Sequence, residues 1–247
     1  MSAVSTLALQ LAGPMQSWGS ASRFSRRTTD DAPTKSGIVG LLAAAAGRRR
    51  SDSIENLAAI RLGVRIDQPG TMMRDYHTAL VTTGGKGVTQ LSERFYLSDA
   101  VFLVAIEGGQ NLIEGMADAL SHPVFPLSLG RRSCVPARRL LLGVFGDEMS
   151  TVLEQTPWLV TERVRSRADA KVTLETIIDC APGTRGSEVR RDEPVSFDPI
   201  RREYGWRSVL RSSVTVSTAT ENEEPSALRI PPVNTVTVPG HDPFDLL

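Results

Sequence analysis

The sequence predicts an α+β fold: a first half that alternates strands and helices and carries a long inserted hairpin, followed by a smaller β-rich part. Three observations lead there. Apolar residues recur at strand spacing and at helix spacing in turn through residue 145. One segment, Thr71 to Ser98, is poor in aliphatic residues and has Gly84-Gly-Lys-Gly87 at its middle. After Pro157 the helical spacing fades and short alternating runs take over.

Val4 to Leu11 alternates, with Leu7, Leu9 and Leu11 on one side, and stops at Gly13-Pro14, which marks a strand. The loop after it holds Gln16, Trp18, Arg23, Phe24, Arg26 and Arg27, a mixture of hydrogen-bonding, stacking and charged groups. Trp18 reads equally as a stacking platform for a base or as a core anchor. Pro33 to Arg50 is a helix with a polar mouth. Thr34 or Ser36 can cap it, Gly37 permits close approach to its backbone, and Gly47 stops it. Its free N–H groups, with Lys35 beside them, suit an anion. Arg48, Arg49 and Arg50 read as complements to the negative end of the dipole, and the whole helix as an ordinary capped core element is the alternative.

Ile54 to Ile60 is a second short helix and Arg61 to Asp67 a strand, turned by Pro69-Gly70. Thr71 to Ser98 then projects as a hairpin with a glycine tip, concentrating Arg74, Tyr76, His77, Lys86 and Arg94. Ala100 to Glu107 is a buried strand, Leu112 to Leu120 a helix, and Leu140 to Phe145 a strand, with the loop Leu129-Gly-Arg-Arg-Ser-Cys134 between the last two. The order is βαββαβ, of ferredoxin-like type. RNA-recognition modules share it, but their aromatic sheet signature is missing, so any RNA is expected on loops and hairpin. The β-rich part has strands at Trp158 to Val164, Lys171 to Asp179 and Trp206 to Thr218, with a turn-rich segment around Gly183, Gly186, Arg190 and Arg191. The expected division is 1–147, with the hairpin at about 66–98, then 148–218 as a small β-rich domain. Residues 219–247, rich in proline, read as a mobile tail.

Composition bounds the function. Hydrophobic residues at 40% and charged ones at 23% describe a soluble globular chain. Its formal net charge is zero, yet Arg23, Arg26, Arg27, Lys35 and Arg48 to Arg50 face only Asp30 and Asp31 between residues 20 and 50, and Glu221, Glu223 and Glu224 acidify the tail. A balanced total can hide a basic face. No signal-type run and no apolar stretch of roughly 18 residues is present, so a cytoplasmic, membrane-free protein with Cys134 and Cys180 reduced is expected. His77, His122 and His241 are far apart, and no metal site or cofactor is expected. Walker spacing, a matched nucleophile–histidine pair and paired carboxylates are all missing from the sequence.

Five motifs stand in order: Leu11-Ala-Gly-Pro-Met-Gln-Ser-Trp-Gly19, Pro33-Thr-Lys-Ser-Gly-Ile-Val-Gly40, Arg74-Asp-Tyr-His-Thr78, Leu129-Gly-Arg-Arg-Ser-Cys134 and Arg191-Asp-Glu-Pro194. Together, from about Val4 to about Ser213, they resemble the CasD family, the subunit that binds the 5′ handle of the guide RNA (crRNA) in the type I-E CRISPR surveillance complex Cascade. The tail after Ala219 lies outside that likeness. The resemblance implies a ferredoxin-like domain with a hairpin thumb at about Ile66 to Ser98 and a small C-terminal β domain. It further implies a non-catalytic RNA-binding role, with the chain capping the CasC filament, touching the large CasA subunit and meeting target DNA only through the assembled complex. The thumb would pack on CasC and bend the guide. The handle would cross Gln16–Trp18, Thr34–Gly37 and Arg131–Ser133. The RNA-binding residues expected are therefore Gln16, Trp18, Arg23, Arg26, Arg27, Thr34, Lys35, Ser36, Gly37, Arg74, Tyr76, His77, Arg94, Arg131, Arg132 and Ser133. Two rivals remain: a metal-independent ribonuclease using Tyr76 and His77 with Lys35 or Lys86, and a protein-only adaptor.

Overall fold

The computed structural model describes residues 4–20, 25–83 and 86–218. Arg23, the hairpin tip at Gly84-Gly85 and the tail 219–247 lie outside the described residues. In chain order the elements are β1 (Val4–Ala12), β2 (Met15–Gln16), β3 (Arg26–Arg27), α1 (Lys35–Ala45), α2 (Glu55–Ala58), β4 (Arg61–Gln68), β5 (Thr71–Thr83), β6 (Lys86–Ser98), β7 (Val101–Gly109), α3 (Gln110–Ser121) and β8 (Leu141–Phe145). They continue with α4 (Met149–Gln155), α5 (Glu162–Arg165), β9 (Lys171–Cys180), β10 (Glu188–Ser196) and β11 (Glu203–Ser217). No helix among the described residues is long and apolar enough to cross a membrane.

A seven-stranded sheet runs β10-β11-β9-β4-β7-β1-β8, and each neighbouring pair is antiparallel. Alternation in β1 and β7 sends their side chains to two different cores. Leu7, Leu9, Leu11, Phe102, Val104 and Ile106 face α1 and α3, meeting Ile38, Leu42, Ile113 and Met116. Ala8, Leu103 and Ala105 point the other way, onto Met149, Val152 and Leu153 of α4. Burial of a side chain of this size is worth roughly 1.5–3 kcal/mol, so these two central strands anchor both layers.

The second part of the chain does not form a sheet of its own. β9 pairs with β4 through Gly63↔Ile178, Val64↔Ile177 and Arg65↔Thr176, so β9, β11 and β10 extend the first part's sheet. Just after residue 148, α4 packs across β4 and β7, and Gly63 permits this. A Cβ there would lie 2.7 Å from Met149 Sδ. Trp158 to Val164 is also corrected, from strand to a loop leading into α5. Its place is set by Asp67, whose Oδ2 accepts the Leu159 N–H at 2.7 Å and whose backbone O accepts Trp158 Nε1–H at 2.9 Å. Arg65 completes this buried joint by donating to Asp67 and to the carbonyls of Thr156 and Pro157.

β5 and β6 form one long antiparallel ribbon from Thr71↔Ser98 to Thr83↔Lys86. Among its residues whose side chains are described, only Tyr96 and Leu97 at the base are buried, where β2 and β3 pair with the other edge of β6. Directly paired residues share a face. Met72, Arg74, Tyr76, Thr78 and Leu80 therefore lie with Phe95, Glu93 and Leu91 on one face, and Asp75 and His77 with Arg94 and Ser92 on the other.

Candidate nucleic-acid interface

α1 organises the site, and both of its ends are built from local sequence. At the N-terminus Thr34 is extended (φ −87°, ψ 150°) and its Oγ1 accepts the Gly37 N–H at 3.2 Å. At the C-terminus Gly47 turns left-handed (φ +71°), with its N–H donating to Ala44 O at 3.1 Å and the Arg48 N–H to Ala43 O at 2.9 Å, a complete Schellman motif. The Val124 and Phe125 N–H groups reach Ala45 O and Ala44 O. Backbone donors thus satisfy the final carbonyls, and Arg48 to Arg50 are not needed for that purpose.

Along the flank of α1 runs a groove of about 940 Å³. Its floor is Ser36, Gly37, Gly40 and Ala44 of the helix; its walls come from the Ser17–Gly19 loop, from residues 125–135, and from Phe197 and Arg202. Seven arginines line it, Arg27, Arg48, Arg49, Arg50, Arg131, Arg132 and Arg202, and no carboxylate is among its described lining residues. None of the seven makes an ion pair within the described residues. That arrangement is a ready field for a polyanion.

Arg131 is the best prepared of them. Gly130 is left-handed (φ +88°) and passes so close to the Ser17 carbonyl that a Cβ would sit 1.8 Å from its oxygen, which aims the next residue into the groove. The Arg131 guanidinium lies 4.7 Å over the Tyr96 ring, and Nη2 donates to Arg27 O at 2.7 Å. Nη1 is buried with no hydrogen-bond partner among the described residues. The alternative of a salt bridge to acids of the second part is thereby set aside. Arg132 and Ser133 are exposed beside it.

Other expected site residues are placed differently. Trp18 is only 1% exposed; its ring packs on Gly37, where a Cβ would lie 2.8 Å from Trp18 Cε3, and its Nε1 donates to Gln16 Oε1 at 3.1 Å. Gln16 is buried and donates in turn to Leu11 O and Ala100 O. Both are core residues, so the stacking reading of Trp18 is corrected, and the close approach that Gly37 permits serves this ring. Thr34 and Ser36 lie in the floor with little surface.

Lys35 is corrected most sharply. Its Nζ lies 2.9 Å from Glu193 Oε1 and 3.5 Å from Asp179 Oδ2, with the side chain 7% exposed. Its backbone N–H donates to Asp192 Oδ2 at 2.8 Å. The anion seat at the helix start is therefore filled by a carboxylate of β10. Arg207 closes the cluster with two bonds to Asp192, at 2.7 and 2.8 Å, and one to Asp179. Burial pulls the Arg207 pKa down, but the two carboxylates outweigh it and hold it above the ordinary value.

On the hairpin, Arg74 stacks 5.0 Å over Tyr76, itself 53% exposed, while His77 faces the other way. Tyr76 and His77 cannot act on one group. Arg26 lies 5.2 Å over Phe95, and Arg94, which pairs in register with Arg27, has a buried Nε with no partner among the described residues. The structure thus joins Arg27, Arg131 and Arg132 to Arg48, Arg49, Arg50 and Arg202, four arginines the sequence reading left out. The run Arg48-Arg49-Arg50 was the signal available for three of them. Among the described residues no group of three or more His, Cys, Asp or Glu could hold a metal ion.

The fold and groove define a strand-rich α+β protein with a face prepared for a polyanion. The chain belongs to the CRISPR-associated protein family (Cas_Cas5), whose family model matches residues 6–210. It is 37% identical over 174 residues to the "CRISPR system Cascade subunit CasD" of Escherichia coli (strain K12), covering 62% of this chain and 78% of that one. Among solved structures it is similar to a chain of a "CRISPR RNA-guided surveillance complex" (TM-score 0.72, 34% identity, 86% of this chain and 91% of that one). It is also similar to a "Cas protein" crystal structure (TM-score 0.65, 37% identity, 84% and 94%).

Proposed function

We propose that this chain is the RNA-binding, non-catalytic subunit of a type I-E CRISPR surveillance complex, holding the 5′ handle of the crRNA in the arginine groove beside α1. The observation that carries the reading is the groove itself: seven arginines with no carboxylate among its described lining residues. Phosphates are the chemistry that such donors recognise, and single-stranded RNA is the polyanion that the family relationship supplies.

In this reading β1, α1, β4, β7, α3 and β8, within residues 1–147, are a ferredoxin-like core. The β5–β6 ribbon is its thumb and residues 148–218 are appended strands. The order β4-β7-β1-β8 within the sheet supports the core assignment. The ribbon face that carries Met72, Tyr76 and Leu80 meets the neighbouring CasC subunit, and the chain caps that filament and contacts CasA in the cytoplasm. Target DNA is engaged only through the assembled complex. The ribonuclease alternative is disfavoured by the opposed faces of Tyr76 and His77 and by the burial of Lys35.

The test is a titration of full-length protein with repeat-derived handle RNA across a salt series. Arg131→Ala with Arg132→Ala weakens binding and flattens the salt dependence by roughly 0.7 log unit per lost phosphate contact. An unchanged slope removes the pair from the interface.

A further inference from the structure

Phe125 is an exposed aromatic residue on a fixed backbone, in the wall of the same groove. It is 41% exposed and lies in the lining with Arg48, Arg49 and Arg50. Its N–H donates to Ala44 O at 3.2 Å, a carbonyl that also accepts the Gly47 N–H, and the Val124 N–H before it donates to Ala45 O at 3.0 Å in the last turn of α1. Val124 packs over Gly47, where a Cβ would lie 2.9 Å from Val124 Cγ1. Pro126 restricts the Phe125 backbone from the other side.

A lone exposed apolar residue is ordinary and means little. This one differs because two features coincide: it lines a groove whose charged groups are guanidiniums, and its backbone is bonded to a helix end. With the backbone held, only two side-chain torsions remain to be ordered by a ligand, which keeps the cost of binding low. The ligand that arginines and a flat apolar ring recognise together is a polyanion carrying flat apolar faces.

We infer that Phe125 is a stacking platform for one unpaired nucleobase of the RNA whose phosphates the arginines hold; this rests on the RNA reading above. A duplex has its base faces covered, so the ring selects single-stranded RNA. Every base has a π-face, so the contact adds affinity and fixes the register of the strand without reading base identity.

The experiment uses full-length protein and single-stranded RNA of the repeat-derived handle, carrying 2-aminopurine at one position at a time, a base whose fluorescence is quenched by stacking. Phe125→Leu keeps apolar bulk and removes the ring; Phe125→Trp keeps a ring. Wild type quenches the probe at one or two adjacent positions. Phe125→Leu loses that quenching and binds about 5- to 150-fold more weakly, with the salt slope unchanged because no charge is lost. Phe125→Trp restores both. An abasic site at the quenched position weakens wild type and leaves Phe125→Leu unaffected, a comparison that does not depend on the variant's stability. Undiminished quenching and affinity in Phe125→Leu overturn the inference, as does loss of protein assembly with RNA binding intact, which would make the ring a protein contact. If wild type binds no single-stranded RNA, the parent reading falls as well; if it binds and only the ring is silent, the stacking inference falls alone.

Discussion

Replacing Lys35 distinguishes a structural joint from a ligand seat at the start of α1. The cluster there holds two cations, Lys35 and Arg207, against three carboxylates, Asp179, Asp192 and Glu193, a net charge of −1 (2 − 3). The helix N-terminus adds roughly +0.5. Lys35→Met keeps most of the hydrocarbon stem and leaves −2 (1 − 3). Removing one partner of a buried pair costs about 3–5 kcal/mol. Asp179 retains Arg207 and the Leu62 N–H, and Glu193 is exposed enough to turn to water, so the cost falls near the lower end, about 3 kcal/mol. Lys35→Glu leaves −3 (1 − 4) and costs more than about 5 kcal/mol. In urea unfolding followed by tryptophan fluorescence, the Lys35→Met midpoint drops by about 1–2 M without a change of slope. Its RNA affinity, measured well below the unfolding range, stays within about twofold of wild type, because Lys35 lies outside the arginine groove. Undisturbed stability with RNA binding weakened tenfold would refute this account of the cluster.

Gly130→Ala meets both a left-handed backbone and the Ser17 carbonyl, so it loses more than about 2 kcal/mol of stability and displaces Arg131; a variant that melts and binds RNA like wild type contradicts the geometry. Leu80, 71% exposed on the ribbon face it shares with Met72 and Tyr76, tolerates aspartate within about 0.5 kcal/mol in melting, whereas copurification with the CasC subunit proposed as its neighbour is lost. Asp30 titrates above its ordinary 3.8, chiefly because burial disfavours the carboxylate, while Ser20 and Arg190 pull it down and Asp192 and Asp31 push it up. The folded state therefore binds this proton more tightly than the unfolded chain, and ionisation weakens the fold as pH rises past the ordinary value. Asp30→Asn is more stable than wild type at neutral pH, and the advantage vanishes below the ordinary carboxylate range; a pH-independent difference in denaturant midpoints counts against it.

What the sequence disclosed depended on how far apart the partners are. β1, β7, α1 and α3 were legible because their apolar residues repeat within one element, and the hairpin was legible because its glycine tip interrupts two aliphatic-poor limbs. β10 was not. Arg190 and Arg191 read as part of a turn-rich segment, but they lie in a strand paired with β11; Asp192 of that strand meets Arg207 and the Lys35 N–H, and its Glu193 meets the Lys35 ammonium. Those partners lie far away in the chain, and no periodicity signals them. Trp18 was ambiguous for a related reason. An aromatic between small polar residues suits a base or a core equally, and the space above Gly37 decides. Arg131 stood out through its motif, whereas Arg202 and Phe125 enter the groove from segments whose local sequence says nothing about α1.

The formal neutrality of the chain hides a segregation of charge. Carboxylates of the C-terminal strands and of Asp31 are taken up by Lys35, Arg190, Arg207 and Arg211. The groove receives none of them. Its arginines are oriented instead by neutral groups: Arg131 by the Arg27 carbonyl and the Tyr96 ring, Arg48 by the Ser53 carbonyl and the Asn56 side-chain amide. Such partners fix a guanidinium without cancelling its charge, so the field of the groove stays available for phosphates. Crowding like charges weakens the free protein, and an RNA that relieves the crowding stabilises it by mass action. The buried pairs at the start of α1 take up Asp179, Asp192 and Glu193, so none of these acids pairs with the groove arginines.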